Sequence, residues 1–149
     1  MSDGNAGICP VADLRGFLLG IWRLDRILVD GHLGQGGSME GTALFAPSGV
    51  RLLYSEAGVL RFGGHVGNAE QSYVYDFPEP GRASISRHDG TRFVDIDLTR
   101  GQSSVVHHCG DDVYRGTFEV SAAAEWRVEW LVAGPRKDQR ISTRYRRLS

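Results

Sequence analysis

The sequence predicts an all-β fold, about ten antiparallel strands running up and down into a barrel, with a short N-terminal helix plugging one end. Three observations lead there. Residues 126–133 (WRVEWLVA) and 139–146 (QRISTRYR) alternate around a turn at 134–138, so Trp126, Val128, Trp130 and Val132 share one face, as do Ile141, Thr143 and Tyr145. Eight further β-type segments precede this hairpin at nearly regular spacing, each ended by Gly, Pro or Asp turn signals. Helical periodicity occurs once, near the N-terminus. An apolar hairpin face of that size needs a roof, and a large twisted sheet removes its open edges by curling shut.

Taken in order, residues 1–10 (MSDGNAGICP) are small and polar and read as a flexible tail, leaving residues 11–149 as a single domain. Val11, Leu14, Phe17 and Leu18 recur at helical spacing, which predicts a helix over 11–19 stopped by Gly20. The strands that follow are expected at 21–29, 38–46, 50–62, 69–77, 82–88, 91–98, 103–108 and 113–121, before the closing pair. Gly58, inside the third, suggests a bulge or bend. Asp89-Gly90 is a two-residue hairpin signal between the fifth and sixth. All connections are short, which favours sequence neighbours as spatial neighbours.

With 149 residues, 41% of them hydrophobic and 23% charged, the chain suits one domain with a sizeable core rather than a disordered or membrane-spanning protein. Seventeen basic against 18 acidic residues leave a net charge of -1, so no global field recruits nucleic acid or an anionic membrane. Cys9 and Cys109 form no metal-type or redox spacing, and no signal peptide or long apolar run is present. A cytoplasmic protein, monomer or homodimer, is the expectation.

Gly20-Ile21-Trp22 directly after a short helix resembles the Gly-x-Trp signature of lipocalin-like, or calycin, barrels. Further motifs extend the likeness over 17–147: Leu19-Gly20-Ile21-Trp22-Arg23-Leu24, then His107-x-Cys109-x-x-Asp112-x-Tyr114-x-Gly116-x-Phe118, then Trp126-x-x-x-Trp130-x-Val132-x-Gly134-Pro135-Arg136-Lys137-Asp138. With these the chain is similar to an uncharacterised bacterial lipocalin-like family of unknown function. The resemblance implies that Trp22 packs at the closed end beneath an arginine of the last strand, Arg144, Arg146 or Arg147. It implies no activity.

If the strands run up and down, the turns after strands one, three, five, seven and nine share one rim. That rim collects His32, His65, His88, Asp89, Cys109, Asp111, Asp112, Arg136 and Lys137, with His107 and His108 just below; the helix and the C-terminus fall at the other end. Side-chain parity, taking Trp22 as inward, fills the lumen. It turns Arg26, Leu28, Tyr54, Glu56, Tyr73, Tyr75, His107, Cys109, Tyr114, Trp126, Trp130, Thr143 and Tyr145 inward, an aromatic wall with a few polar handles, as small-molecule sites usually have. Val94, Ile96 and Leu98 represent the sixth strand.

Each candidate has a second reading. Arg26 and Glu56 suit a structural ion pair, or else an anchor for a ligand oxyanion and a general base. His107 and Cys109 point to one side and could begin a metal site, yet lack further ligands; a histidine bonded to Asp112 or Tyr114 is the simpler account. Arg136 and Lys137 are either an anion clamp or part of a well-formed turn. The expectation is a protein that binds a small aromatic or partly polar organic molecule, without a cofactor. The alternative is an isomerase- or lyase-type enzyme on the same lumen, with His107 or Glu56 moving a proton; a haem or metal ligand through His107 comes third.

Overall fold

The computed structural model describes residues 7–149. The first six positions of the expected tail lie outside the described residues. Residues 8–10 are tied to the barrel: the Cys9 N–H donates to the Val120 carbonyl at 2.8 Å, and Ile8 and Cys9 pack against Gly101.

The helix is shorter than its apolar period. α1 (Leu14–Leu18) starts after Asp13, whose carboxylate accepts from the Gly16 N–H at 3.1 Å. It ends at Leu19, before Gly20 turns the chain at φ 125°. Leu14 and Leu18 are fully buried, and Val11, ahead of the cap, is buried too, its N–H donating to the Leu98 carbonyl at 3.1 Å.

Ten strands follow: β1 (Gly20–Asp30), β2 (Gln35–Ser48), β3 (Arg51–Phe62), β4 (His65–Glu79), β5 (Arg82–Arg87), β6 (Arg92–Asp97), β7 (Gln102–Cys109), β8 (Asp112–Ala122), β9 (Glu125–Gly134) and β10 (Lys137–Arg147). They form one antiparallel sheet in the order β6-β5-β4-β3-β2-β1-β10-β9-β8-β7. β1 and β10 pair from Trp22↔Arg147 to Asp30↔Gln139, so the sheet curls into a barrel open only between β6 and β7. That seam is an exception to the rule that sequence neighbours pair. Side chains bridge it instead: the Asp97 N–H donates to Ser103 Oγ at 3.1 Å, and the Phe93 and His107 rings meet edge to face at 4.9 Å.

Three local expectations change. The ladder runs unbroken through Gly58, which faces Gly41 across β2 and β3; a Cβ on either would strike the opposite backbone, so the glycines serve close strand approach, not a bulge. Bulges lie elsewhere, at Asp76–Glu79, Ile85–Ser86 and Val120–Ala122. The closing turn is two residues, Pro135 and Arg136, with Lys137 already paired to Gly134. The Asp89-Gly90 turn is wider than two residues, since Arg87 N–H bonds to the Thr91 carbonyl and Gly90 N–H to the Arg87 carbonyl.

α1 and the chain ends close the barrel floor. Trp22 donates its indole N–H to the Leu18 carbonyl at 2.8 Å, and Arg147 covers its ring at 4.2 Å while bonding to the Phe17 and Leu19 carbonyls. Arg147 is therefore the arginine over the tryptophan. No helix among the described residues is long and apolar enough to cross a membrane.

Candidate functional site

Above that floor the barrel encloses a cavity of about 300 Å³. Its walls follow from register. Across the sheet, Leu28, Ile141 and Trp130 form one row, Arg26, Thr143 and Val128 the next, and Leu24, Tyr145 and Trp126 the row below. On the other side Phe45, Tyr54 and Tyr73 are opposite one another, as are Ala43, Glu56 and Gln71.

Two small residues of β2 shape the polar centre. Arg26 on β1 faces Met39 of β2, whose Sδ lies 3.5 Å from Nη1, and Glu56 on β3 faces Ala43, with Gly41 the inward position between Met39 and Ala43. Nothing bulky stands between the two charges. Arg26 Nη1 and Nη2 donate to Glu56 Oε2 and Oε1 at 2.6 and 2.9 Å, a two-pronged bridge, while Nε donates to Thr143 Oγ1 at 2.8 Å. Tyr54 donates to Glu56 Oε1 at 2.5 Å, which leaves the Tyr145 hydroxyl to donate to Tyr54 at 2.8 Å. Burial alone would lower the Arg26 pKa; the bonds and charge of Glu56 outweigh it and hold the guanidinium protonated. Burial raises Tyr54 well above the ordinary phenol range and Tyr145 to about 12, the nearby Arg26 charge moderating the second. Both tyrosines are neutral donors at physiological pH.

Aromatic rings make the rest of the wall. Trp126 stacks on Tyr145, centroids 4.0 Å apart, and Tyr73 stacks on Phe93 at 5.6 Å. Trp130 leans over Phe93 at 5.2 Å and Phe118 at 5.9 Å. It has room because its partner across β8 is Gly116, where a Cβ would sit 2.6 Å from the ring. Among the expected residues, Arg26, Tyr54, Glu56, Tyr73, Tyr75, Tyr114, Trp126, Trp130, Thr143 and Tyr145 all line this cavity.

Others sit elsewhere. Cys109 is exposed at the end of β7, where the strand runs on beyond the wall, so it is not on the lumen as parity suggested. His107 is half-buried at the seam, beside Phe93 and, at 6.0 Å, Tyr114, outside the cavity lining. Arg136 is exposed in the tight turn. Lys137, at the start of β10, places its Nζ to donate to the Tyr114 hydroxyl at 3.2 Å and 3.3 Å from Asp112 Oδ2; both contacts raise its pKa. Among the described residues no three of His, Cys, Asp or Glu converge to hold a metal.

The cavity also contains Val128 and Ile141, which share the inward faces of the closing hairpin, and four residues not singled out from the sequence: Gln71, Ile85, Phe93 and Phe118. Phe93 is the instructive one. Ile85 faces Val94 but Ser86 faces Arg92, so Phe93 is the extra residue of a bulge and turns inward beside Val94. The bulge is why strict alternation fails there. Beyond Tyr73, β4 has no partner on its β5 side, because β5 ends at Arg87. The gap beside His88 and Asp89 forms an open recess of about 410 Å³ that shares Glu56, Gln71 and Tyr73 with the lumen.

Comparison with known proteins agrees with this architecture. The model of a family of unknown function, DUF6314, matches residues 18–147. A search of curated proteins finds no match. Among solved structures, a protein of unknown function from the DUF3598 family of Nostoc punctiforme superposes with a TM-score of 0.66 at 11% identity, over 95% of this chain and 51% of that one. The chain thus spans about half the length of the Nostoc protein. An S-type phycobiliprotein lyase from Guillardia theta superposes with a TM-score of 0.66 at 7% identity, over 100% of this chain and 98% of that one. At such identities the likeness is one of fold, a calycin-like barrel.

Proposed function

The chain belongs to this family of unknown function, and from that premise we propose that it is a binding protein holding a small, flat, partly polar organic molecule in the barrel lumen. One observation carries the proposal. Nine aromatic side chains, those of Tyr54, Tyr73, Tyr75, Phe93, Tyr114, Phe118, Trp126, Trp130 and Tyr145, surround a space of about 300 Å³. A space with such walls favours an occupant that stacks on them.

The charges support holding over turnover. Both oxygens of Glu56 are engaged, by Arg26 and Tyr54, so Glu56 could act as a base only by leaving that bridge. The pair cancels itself and leaves the lumen without net charge, which suits an uncharged guest. The similar fold of the S-type phycobiliprotein lyase from Guillardia theta is compatible with a guest of this kind.

Native mass spectrometry of freshly purified protein tests the proposal. The expected result is a one-to-one non-covalent organic adduct, released on denaturation. A protein that carries no adduct, and that binds no flat aromatic probe up to the probe's solubility, would end it.

A further inference from the structure

Resting on the lumenal reading above, we infer that the barrel selects guests bearing oxygen acceptors, with the hydroxyls of Tyr73, Tyr75 and Tyr114 as the groups that read them. Every phenol has one hydrogen to donate. Tyr145 gives its hydrogen to Tyr54, and Tyr54 gives its own to Glu56. The other three lumenal tyrosines have donated theirs to no group among the described residues.

Tyr73 and Tyr114 are acceptors only. The Tyr73 hydroxyl receives a bond from Gln71 Nε2 at 2.5 Å, and that of Tyr114 receives one from Lys137 Nζ at 3.2 Å. Each therefore has its hydrogen aimed away from those donors, with the cavity wall on which both rings lie at hand. Tyr75 is 4% exposed and its hydroxyl has no partner among the described residues. The Trp126 Nε1 is, among those residues, the buried side-chain polar atom that is both sealed off and unpartnered. The Tyr75 hydroxyl is not sealed in that way, so it opens onto the cavity it lines.

Of the acceptors on the same wall, both Glu56 oxygens and the Thr143 hydroxyl already take bonds, which leaves Gln71 Oε1 without a partner among the described residues, fewer than the three phenol hydrogens. Glu56 Oε1 takes Arg26 Nη2 and Tyr54, Oε2 takes Arg26 Nη1, and Thr143 takes Arg26 Nε. Donors are in surplus. In the free protein water can meet them, but a guest that expels that water must offer acceptors or leave hydroxyls unpaired. The class of guest is thus a planar aromatic carrying carbonyl or comparable oxygen acceptors, in preference to a hydrocarbon or an N–H donor of the same shape.

Three rigid tricyclic probes of nearly equal shape test this: fluorenone with a carbonyl, fluorene without one, and carbazole with an N–H. Calorimetry should show fluorenone binding roughly tenfold or more tighter than fluorene, with carbazole no tighter than fluorene. The triple variant Tyr73→Phe, Tyr75→Phe, Tyr114→Phe should lose the preference for fluorenone over fluorene, read as the ratio of the two affinities within that variant. The infrared carbonyl stretch of fluorenone bound to the unaltered protein should move to lower frequency than in an alkane, which needs no variant to fold. Equal binding of all three probes, or an unshifted carbonyl, overturns acceptor selection while leaving lumenal binding intact. Failure of all three to bind overturns both.

Discussion

Tyr145 lies face to face on Trp126 across the closing hairpin, centroids 4.0 Å apart and planes 6° from parallel, with its hydroxyl 2.8 Å from that of Tyr54. Stacking and a hydrogen bond thus hold one phenol at both ends of its ring. Burial raises its pKa from 10.0 to about 12. Below pH 10 the folded and unfolded forms bind this proton equally, and above it the unfolded form releases the proton first. Stability is therefore complete below pH 10 and falls as pH rises to about 12, by roughly 2–3 kcal/mol for this group. Tyr54 shifts in the same direction, by burial and then by its charged neighbours. Thermal unfolding followed between those pH values should show the fall, less steep in Tyr145→Phe; identical curves for the two proteins would contradict it.

Breaking the Arg26–Glu56 bridge from one side should cost more than removing it. Glu56→Gln leaves a largely buried guanidinium without its countercharge, a loss of about 3–5 kcal/mol. The double change Arg26→Leu, Glu56→Leu should cost less than the single one, because no unpaired charge remains. Urea unfolding of the three proteins decides it, and a double variant weaker than Glu56→Gln would count against the bridge as drawn.

Gly116 should be sensitive to a single methyl. Its Cβ would stand 2.6 Å from the Trp130 ring, so Gly116→Ala must push that ring toward the lumen at about 1–3 kcal/mol. Weaker probe binding should accompany the lost stability. A variant that matches the parent in both would mean the ring yields freely.

Arg147 should matter to stability and not to the lumen. Arg147→Ala removes a cation over Trp22 at 4.2 Å and two bonds to α1 carbonyls and its cap, about 2 kcal/mol together. Arg147→Lys should recover only part, since one ammonium cannot reproduce the planar fork. Denaturation midpoints should rank parent, Lys and Ala in that order, with probe affinity unchanged; a fall in affinity would show that the floor shapes the cavity.

Much of the wall was legible because alternation survives wherever strands are regular. From Trp22, a period of two carries Arg26 onto the inner face, and the same period places Tyr54 with Glu56 and Trp126 with Trp130. It fails where backbone events change the count or the strand outlasts the wall. The bulge at Phe93 brings an outward position in, and Cys109 keeps the parity of His107 but lies past the last covered residue of β7. Strand ends depend on partners: β4 runs to His65 because β3 pairs it there, which no turn signal near Ala69 could announce. The Arg26–Glu56 contact was a matter of distance across β2, and Gly41 and Ala43 are the sequence signal for it.

The seam between β6 and β7 makes the sheet a ribbon whose two edges are consecutive in the chain, while its middle joins Trp22 to Arg147. Its most non-local ladder is therefore the one that curls the ribbon, and the entropy of that closure is met before the cavity exists. Read from Gly101 through β10 into β1 and on to β6, the same ribbon would be a plain meander with every ladder local. A circular permutant in that order should keep all nine ladders, lower the contact order and fold faster than the natural arrangement.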